Sequence, residues 1–375
     1  MKQKIAIVLL LIFYGVNVFS QLKDVYQRSA PRQTVFAIKA DYGTVVIHTK
    51  AIEAMRGARP TGFGFEISKQ AKDSATYQLC SSYPRVGLQF QYFNYGTPIL
   101  GNSGKISYFI QPVYRINNYL HFFFRASIGL SYSDNPFNPN SPIDTLNQSY
   151  SIRFNPYLQV SSGWGLRLSS KLSMEVNSAF NHISNGNINR PNRGLNWLTG
   201  SIALLYTPNG SSLPRYHRIK NKFWKGLPID YRLGMLYVGK QDYAGHTMGY
   251  ARTFAAGGFI EASKQIGGIH AIVAGIQVYH NNLQVDPPAE DVPNWKNKHT
   301  SVLAGLYVGH EFLLGKVIIS QVVGRYISQH PVFYNNYFHQ HSFRYVLNRH
   351  WQPGFAFRAH ADEADFISIN LLYKY

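Results

Sequence analysis

The chain has 375 residues, with 37 Lys and Arg against 18 Asp and Glu, a formal net charge of +19, and aromatic and charged fractions of 15% each. A soluble domain typically carries about 25% charged residues, so this composition argues against one, and the single cysteine, Cys80, excludes an intramolecular disulfide. Many aromatics, few charges and no long apolar run in the body of the chain suit a membrane β-barrel, whose strands alternate lipid-facing and lumen-facing residues.

Residues 1–20 predict a cleaved secretory signal. Lys2 and Lys4 supply its basic start, Ile5 to Tyr14 its apolar core, and Val18-Phe19-Ser20 a cleavage site before Gln21. The competing reading is a first transmembrane helix, for which the apolar run is short. No Cys follows the cleavage site, which argues against a lipid anchor. After a polar leader, strand-like runs fall near 35–48, 62–68, 85–95, 105–115, 119–132, 151–161, 166–184 and 196–206. Leu120, Phe122, Phe124 and Ala126, for example, alternate with His121, Arg125 and Ser127. Pro156 weakens the run at 151–161, because proline donates nothing to a ladder.

A basic stretch at 207–229 separates these runs from a second set near 230–240, 250–263, 269–280, 300–312, 316–328, 341–347, 354–360 and 365–375. The fold expected is therefore all-β, a transmembrane antiparallel barrel of about 14–16 strands. It has an eight-stranded first half over 21–206 that carries the candidate site, a connection at 207–229 and further strands over 230–375. The last run ends on Tyr375, and a final strand ending on an aromatic resembles the assembly signal of outer-membrane proteins. The competing reading is a soluble β-sandwich.

With the N-terminus periplasmic, the polar stretches 133–150, 185–195, 281–299 and 329–340 become outside loops. The short ones at 116–118, 162–165, 265–268 and 313–315 become inside turns. Two segments break the alternation, 71–84 and 207–229, each a long periplasmic connection in this register. The second reads as a seam between two halves or as an interfacial segment whose cations meet lipid phosphate. The positive charge would suit nucleic acid, but no nucleic-acid motif is present. An exported barrel instead meets lipid A, lipopolysaccharide and the other outer-membrane lipids. No cofactor is called for, and the oligomeric state is left open. His339 and His341 lack acidic or thiol company for a metal. Asp286, Glu290 and Asp291, and the run from His360 to Asp365, read as solvated loop and turn.

The stretch from Val176 to Tyr206 stands apart. Val176, Ser178 and Phe180 share a strand face with His182 and Ser184, because side chains at i and i+2 point the same way. On the returning strand Asn196 heads the apolar row Leu198, Ile202 and Leu204. A His, a Ser and an Asn thus sit at the outer-leaflet rim of an apolar, lipid-facing wall. His182 is placed to act as base for a Ser184 nucleophile, with Asn196 orienting the imidazole and Asn185 next to the nucleophile supplying an oxyanion donor. His-x-Ser alone is a weak motif; an interfacial histidine beside a polar strand end is the plainer explanation.

The longer pattern, His182, Ser184, Asn185 and Gly186 followed by Asn192 and Gly194, resembles the lipid A 3-O-deacylase (PagL-type) family of outer-membrane acyloxyacyl hydrolases. The resemblance covers the hairpin and its loop. It implies a β-barrel enzyme that removes an ester-linked acyl chain from lipid A by a His-Ser-Glu triad on its outer surface, with Asn185 and Gly186 around the oxyanion. The departure is Asn196, where the family has Glu. A neutral Asn orients a histidine but adds no charge to stabilise imidazolium, and Glu175 lies on the lumenal face. The alternative function is a non-catalytic porin-like or adhesin-like barrel that keeps a degenerate site.

Overall fold

The computed structural model describes residues 32–217, 222–243, 250–281, 302–327, 336–360 and 363–375. The expected signal at 1–20, the loop holding Asp286, Glu290 and Asp291, and the middle of the turn after His360 lie outside the described residues. The first sheet comprises β1 (Gln33–Val46), β2 (Thr61–Gln70), β3 (Arg85–Asn94), β4 (Asn102–Gln111), a short β5 (Val113–Arg115), β6 (Leu120–Ser133), β7 (Phe154–Arg167), β8 (Leu172–Ile183) and β9 (Leu195–Tyr206), with helix α1 (Ser74–Cys80) between β2 and β3. Neighbours pair antiparallel, β4 pairs with β6, and β1 returns to β9, closing a barrel of eight long strands.

The second set closes separately. It comprises β10 (Asp230–Tyr243), β11 (Tyr250–Gln265), β12 (His270–Asn281), β13 (Val302–Leu314), β14 (Val317–Tyr326), β15 (Tyr337–Tyr345), β16 (Trp351–His360) and β17 (Glu363–Lys374). β10 pairs with β17 to complete the ring. The sixteen long strands thus form two eight-stranded barrels.

Alternation decides what each strand shows to its surroundings. Ile38 and Phe63 in the first barrel, and Ile260 and Ile369 in the second, stand on the outer face and are more than 60% exposed. Such exposure belongs to a wall whose solvent is lipid. Between them the lumenal residues are polar and buried. Glu66 pairs with Arg125 at 2.5 Å, and Glu175 pairs with Arg85 at 2.7 Å. An eight-stranded barrel is just wide enough for side chains to fill its interior, and here they fill it with paired charge. The mouth of the first barrel at which β8 and β9 are joined is corked by an apolar cluster in which Ile52, Met55, Leu100 and Tyr150 meet Ile183, Leu195 and Trp197 from β8 and β9.

One boundary differs from expectation. Residues 162–165 are not a turn: β7 runs through them to Arg167, and the turn falls at 168–171. The glycines there mark close approach within a strand. A Cβ on Gly165 would lie 2.0 Å from His121 Nε2, and one on Gly163 would lie 2.2 Å from the Val176 carbonyl oxygen. The true turn is closed by Ser169, whose Oγ accepts from the backbone N–H groups of Lys171 and Leu172.

The two segments that broke the loop pattern pack on each other. Tyr77 and Tyr83 meet Tyr216 and Leu213 of the connection, Tyr83 Oη donates to the Pro214 carbonyl, and Lys72 Nζ donates to the Gly210 carbonyl at 2.8 Å.

Candidate functional site

His182 is the penultimate residue of β8 and stands directly opposite Asn196 on β9. Both point outward, because their inward neighbours Ile183, Leu195 and Trp197 are fully buried in the apolar cork. The cork therefore anchors the strand ends that carry the site. Asn196 Oδ1 lies 2.6 Å from His182 Nδ1. On the other side of β9, β1 brings Val46 opposite Asn196. Two residues further on, His48 Nδ1 lies 3.3 Å from Asn196 Nδ2, and His48 Nε2 lies 2.9 Å from the Arg193 carbonyl.

One protonation pattern satisfies the whole chain. His48 Nε2–H donates to Arg193, leaving Nδ1 to accept from the Asn196 amide N–H. The Asn196 oxygen then accepts from His182 Nδ1–H. That tautomer leaves a lone pair on His182 Nε2, the form a general base requires.

Ser184 lies just beyond β8 and is buried inside the β8–β9 loop. Asn192 Nδ2 donates to its Oγ at 2.9 Å, and the Gly186 backbone N–H donates to it at 3.2 Å. Among the described residues the His182 side chain has Asn196 as its hydrogen-bond partner, the Ser184 hydroxyl bonds within its own loop to Asn192 and Gly186, and the Ser184 backbone N–H donates to the Pro156 carbonyl at 3.3 Å. Asn185 is turned into the loop: its side-chain N–H donates to the Asn189 carbonyl and its backbone N–H to Asn192 Oδ1. The Gly186 N–H is thus the loop donor that already faces the Ser184 oxygen.

Two glycines are required by this geometry. Gly186 has φ +59° and Gly194 has φ +77°, in the left-handed region, and a Cβ on Gly194 would come within 3.0 Å of the His182 ring.

Below the site, on the same outer face, a cavity of about 460 Å³ runs along β8, β9 and β1. Its floor is small (Ser178, Gly200 and Thr44), its sides are Phe180, Leu198 and Tyr42, and Arg59 stands among its lining residues. Phe180 and Leu198 are the first pair below His182 and Asn196 on that face. Among the described residues no group of three or more His, Cys, Asp or Glu is arranged to hold a metal ion.

His48 was not singled out in the sequence, and Asn187 and Asn192 were not seen as structural parts of the site. What places His48 is the closure of the first barrel, which no local sequence feature announces. The first and last strands of an eight-stranded barrel must pair, and the even-numbered face of β1 then continues to His48.

A model for lipid A 3-O-deacylase (PagL) matches residues 70–207, and a model for the C-terminal domain of acyloxyacyl hydrolase matches residues 230–375. The chain belongs to this family. Together the two matches take in the second barrel and, from the end of β2 onward, the first. Among solved structures, the outer membrane enzyme PagL aligns with 14% identity and a TM-score of 0.33, over 44% of this chain and 97% of that one. Neisserial surface protein A aligns with 10% identity and a TM-score of 0.32, over 46% and 96%. The translocator domain of the autotransporter NalP from Neisseria meningitidis aligns with 9% identity and a TM-score of 0.23, over 97% and 96%. No curated protein matches the chain.

Proposed function

We propose that the chain is an outer-membrane esterase that removes an ester-linked acyl chain from lipid A, with Ser184 as nucleophile and His182 as its base. The observation that carries this reading is the 2.6 Å contact between His182 Nδ1 and Asn196 Oδ1. It commits the histidine to the tautomer whose free Nε2 can take a proton, and it does so on the lipid-facing wall beside the Ser184 loop.

In the first step the Ser184 hydroxyl turns from Asn192 to His182 Nε2 and gives up its proton as Oγ attacks the ester carbonyl. The tetrahedral oxyanion is met by the Gly186 N–H, with Asn192 holding the nucleophile in place. His182 then returns the proton to the departing sugar oxygen, and water attacks the acyl-enzyme by the same base. Asn196 orients the imidazole throughout, while the absence of a carboxylate leaves the imidazolium without a counter-charge. The acyl chain lies in the groove over Ser178 and Gly200, so lipid need not leave the membrane, and Arg59 is suited to a lipid phosphate.

The competing reading is a barrel without chemistry, favoured by Asn196 in place of Glu. Mass spectrometry of lipid A from cells expressing wild type, Ser184→Ala and His182→Ala separates the two. Loss of one acyl chain in wild type alone is expected. An unaltered lipid A with folded wild type would sink the enzyme reading, and a shift that persists in both variants would sink the site.

A further inference from the structure

The loop that carries Ser184 is held from outside its own barrel. β10 and β17 close the second barrel in a ladder that runs from Arg232 opposite Lys374 to Val238 opposite Ser368, where their pairing stops. Beyond that point the two strands continue towards the same end as the β8–β9 loop, and the loop enters the gap between them. Asn187 Nδ2 donates to the carbonyls of Ala364 and Asp365 on β17, at 2.5 and 3.1 Å. The Gln241 backbone N–H on β10 donates to the Asn187 carbonyl at 2.7 Å, and Gln241 Oε1 accepts from the Arg190 backbone N–H at 2.9 Å. Gly186 lies against β17 so closely that a Cβ would fall 2.3 Å from Ile367 Cγ1.

Backbone groups left unpaired where a ladder ends cost about as much as a lost hydrogen bond when buried. The loop supplies the missing partners. From there the connection reaches the nucleophile in two steps: Asn187 Oδ1 faces Asn192 Nδ2 at 3.5 Å, and Asn192 Nδ2 donates to Ser184 Oγ.

We infer that the closing seam of the second barrel is a socket that sets the position of Ser184, with Asn187 and Gln241 as positioning residues. This rests on the deacylase reading for its catalytic consequence but not for the socket itself. Asn187→Asp keeps an oxygen for Asn192 and a residue type tolerant of the positive φ of 60° at this position. It removes both N–H donors and sets a carboxylate against two carbonyls. Gln241→Ala removes the acceptor for Arg190, and Gln241→Glu restores it.

The test uses the full chain in liposomes containing lipid A. For Asn187→Asp, kcat is expected to fall at least about tenfold with KM unchanged, the cost of a charge-assisted mismatch at one hydrogen-bonded position. Labelling of Ser184 by a fluorophosphonate should slow in parallel, and amide hydrogen exchange over 184–194 should rise. Gln241→Ala should show a smaller loss that Gln241→Glu repairs. Unchanged kcat, labelling and exchange in Asn187→Asp, or a Gln241→Glu as impaired as Gln241→Ala, would overturn the socket. Faster exchange over 184–194 in Asn187→Asp, with a wild type that leaves lipid A intact, would uphold the socket and reject the deacylase reading.

Discussion

In the first barrel the buried Glu175 meets Arg85 at 2.7 Å and His121 at 3.2 Å; in the second the buried Glu311 meets Arg232 at 2.8 Å, Ser263 at 2.6 Å and also Arg344. Each interior thus carries buried paired charge among its described residues. The outer faces also share a vocabulary. The second barrel carries His339 and His341 on its outward face, with rings 5.6 Å apart, much as the first carries His182. What separates the barrels is the company these histidines keep. His182 is locked by an amide on the next strand and adjoins a loop whose serine is caged by Asn192 and Gly186. A histidine on a lipid-facing wall is therefore not a candidate site in itself; the paired strand end and its loop make it one.

The largest effect that can break this contrast lies at Ser184. Ser184→Ala is expected to cost at least about 10³-fold in kcat, and His182→Ala a similar amount. Residues that act as one unit lose nearly everything together. The double variant should therefore be no worse than either single one. Quantifying released fatty acid from purified protein in lipid A vesicles checks this. Multiplicative losses would mean that the two side chains do not act in one step.

Next in size are the interiors. Removing one member of a buried ion pair leaves the partner charged and unsatisfied, at about 3–5 kcal/mol. Glu175→Gln leaves Arg85 with Gln111 and no paired carboxylate, whereas after Glu311→Gln both Arg232 and Arg344 keep Glu261. Urea unfolding followed by tryptophan fluorescence should show the larger loss for Glu175→Gln. If each variant moves its own transition, the barrels unfold separately; if both move one shared transition, the loop socket couples them.

Much of this was legible in the sequence because period-2 alternation is local. Strand number, the outward face of His182 and Asn196, and the polar connection between β8 and β9 follow from which residues alternate. The division into two barrels was not legible. Closure depends on which distant strands pair, and no local feature says that β1 meets β9 and β10 meets β17. The 162–165 boundary was misread for a related reason: Gly163 and Gly165 are there for Asn177 and His121 on neighbouring strands. Ser184 was expected to continue the face of His182, yet β8 ends at Ile183 and the hydroxyl turns into the loop.

The smallest effect sharpens the comparison most, because it concerns the residue that makes His182 unlike His339. Asn196 is held by His48, whose Nδ1 accepts its N–H and so keeps its oxygen aimed at His182. His48→Ala removes that acceptor. The amide is then free to flip and offer His182 its NH₂, which would favour the wrong tautomer. A net hydrogen bond contributes roughly 1 kcal/mol, so kcat should fall by about 5- to 10-fold with KM unaltered. Asn196→Glu acts the other way. A carboxylate cannot offer the wrong group, and its charge strengthens the bond to His182 as imidazolium forms, by about twofold over a neutral partner. In that variant His48 loses the N–H it accepted, so it no longer decides which group faces His182. The double variant His48→Ala/Asn196→Glu should therefore be nearly as active as Asn196→Glu alone, whereas His48→Ala harms the wild type. Equal losses in the two backgrounds would show that His48 supports the wall generally and does not act through the amide.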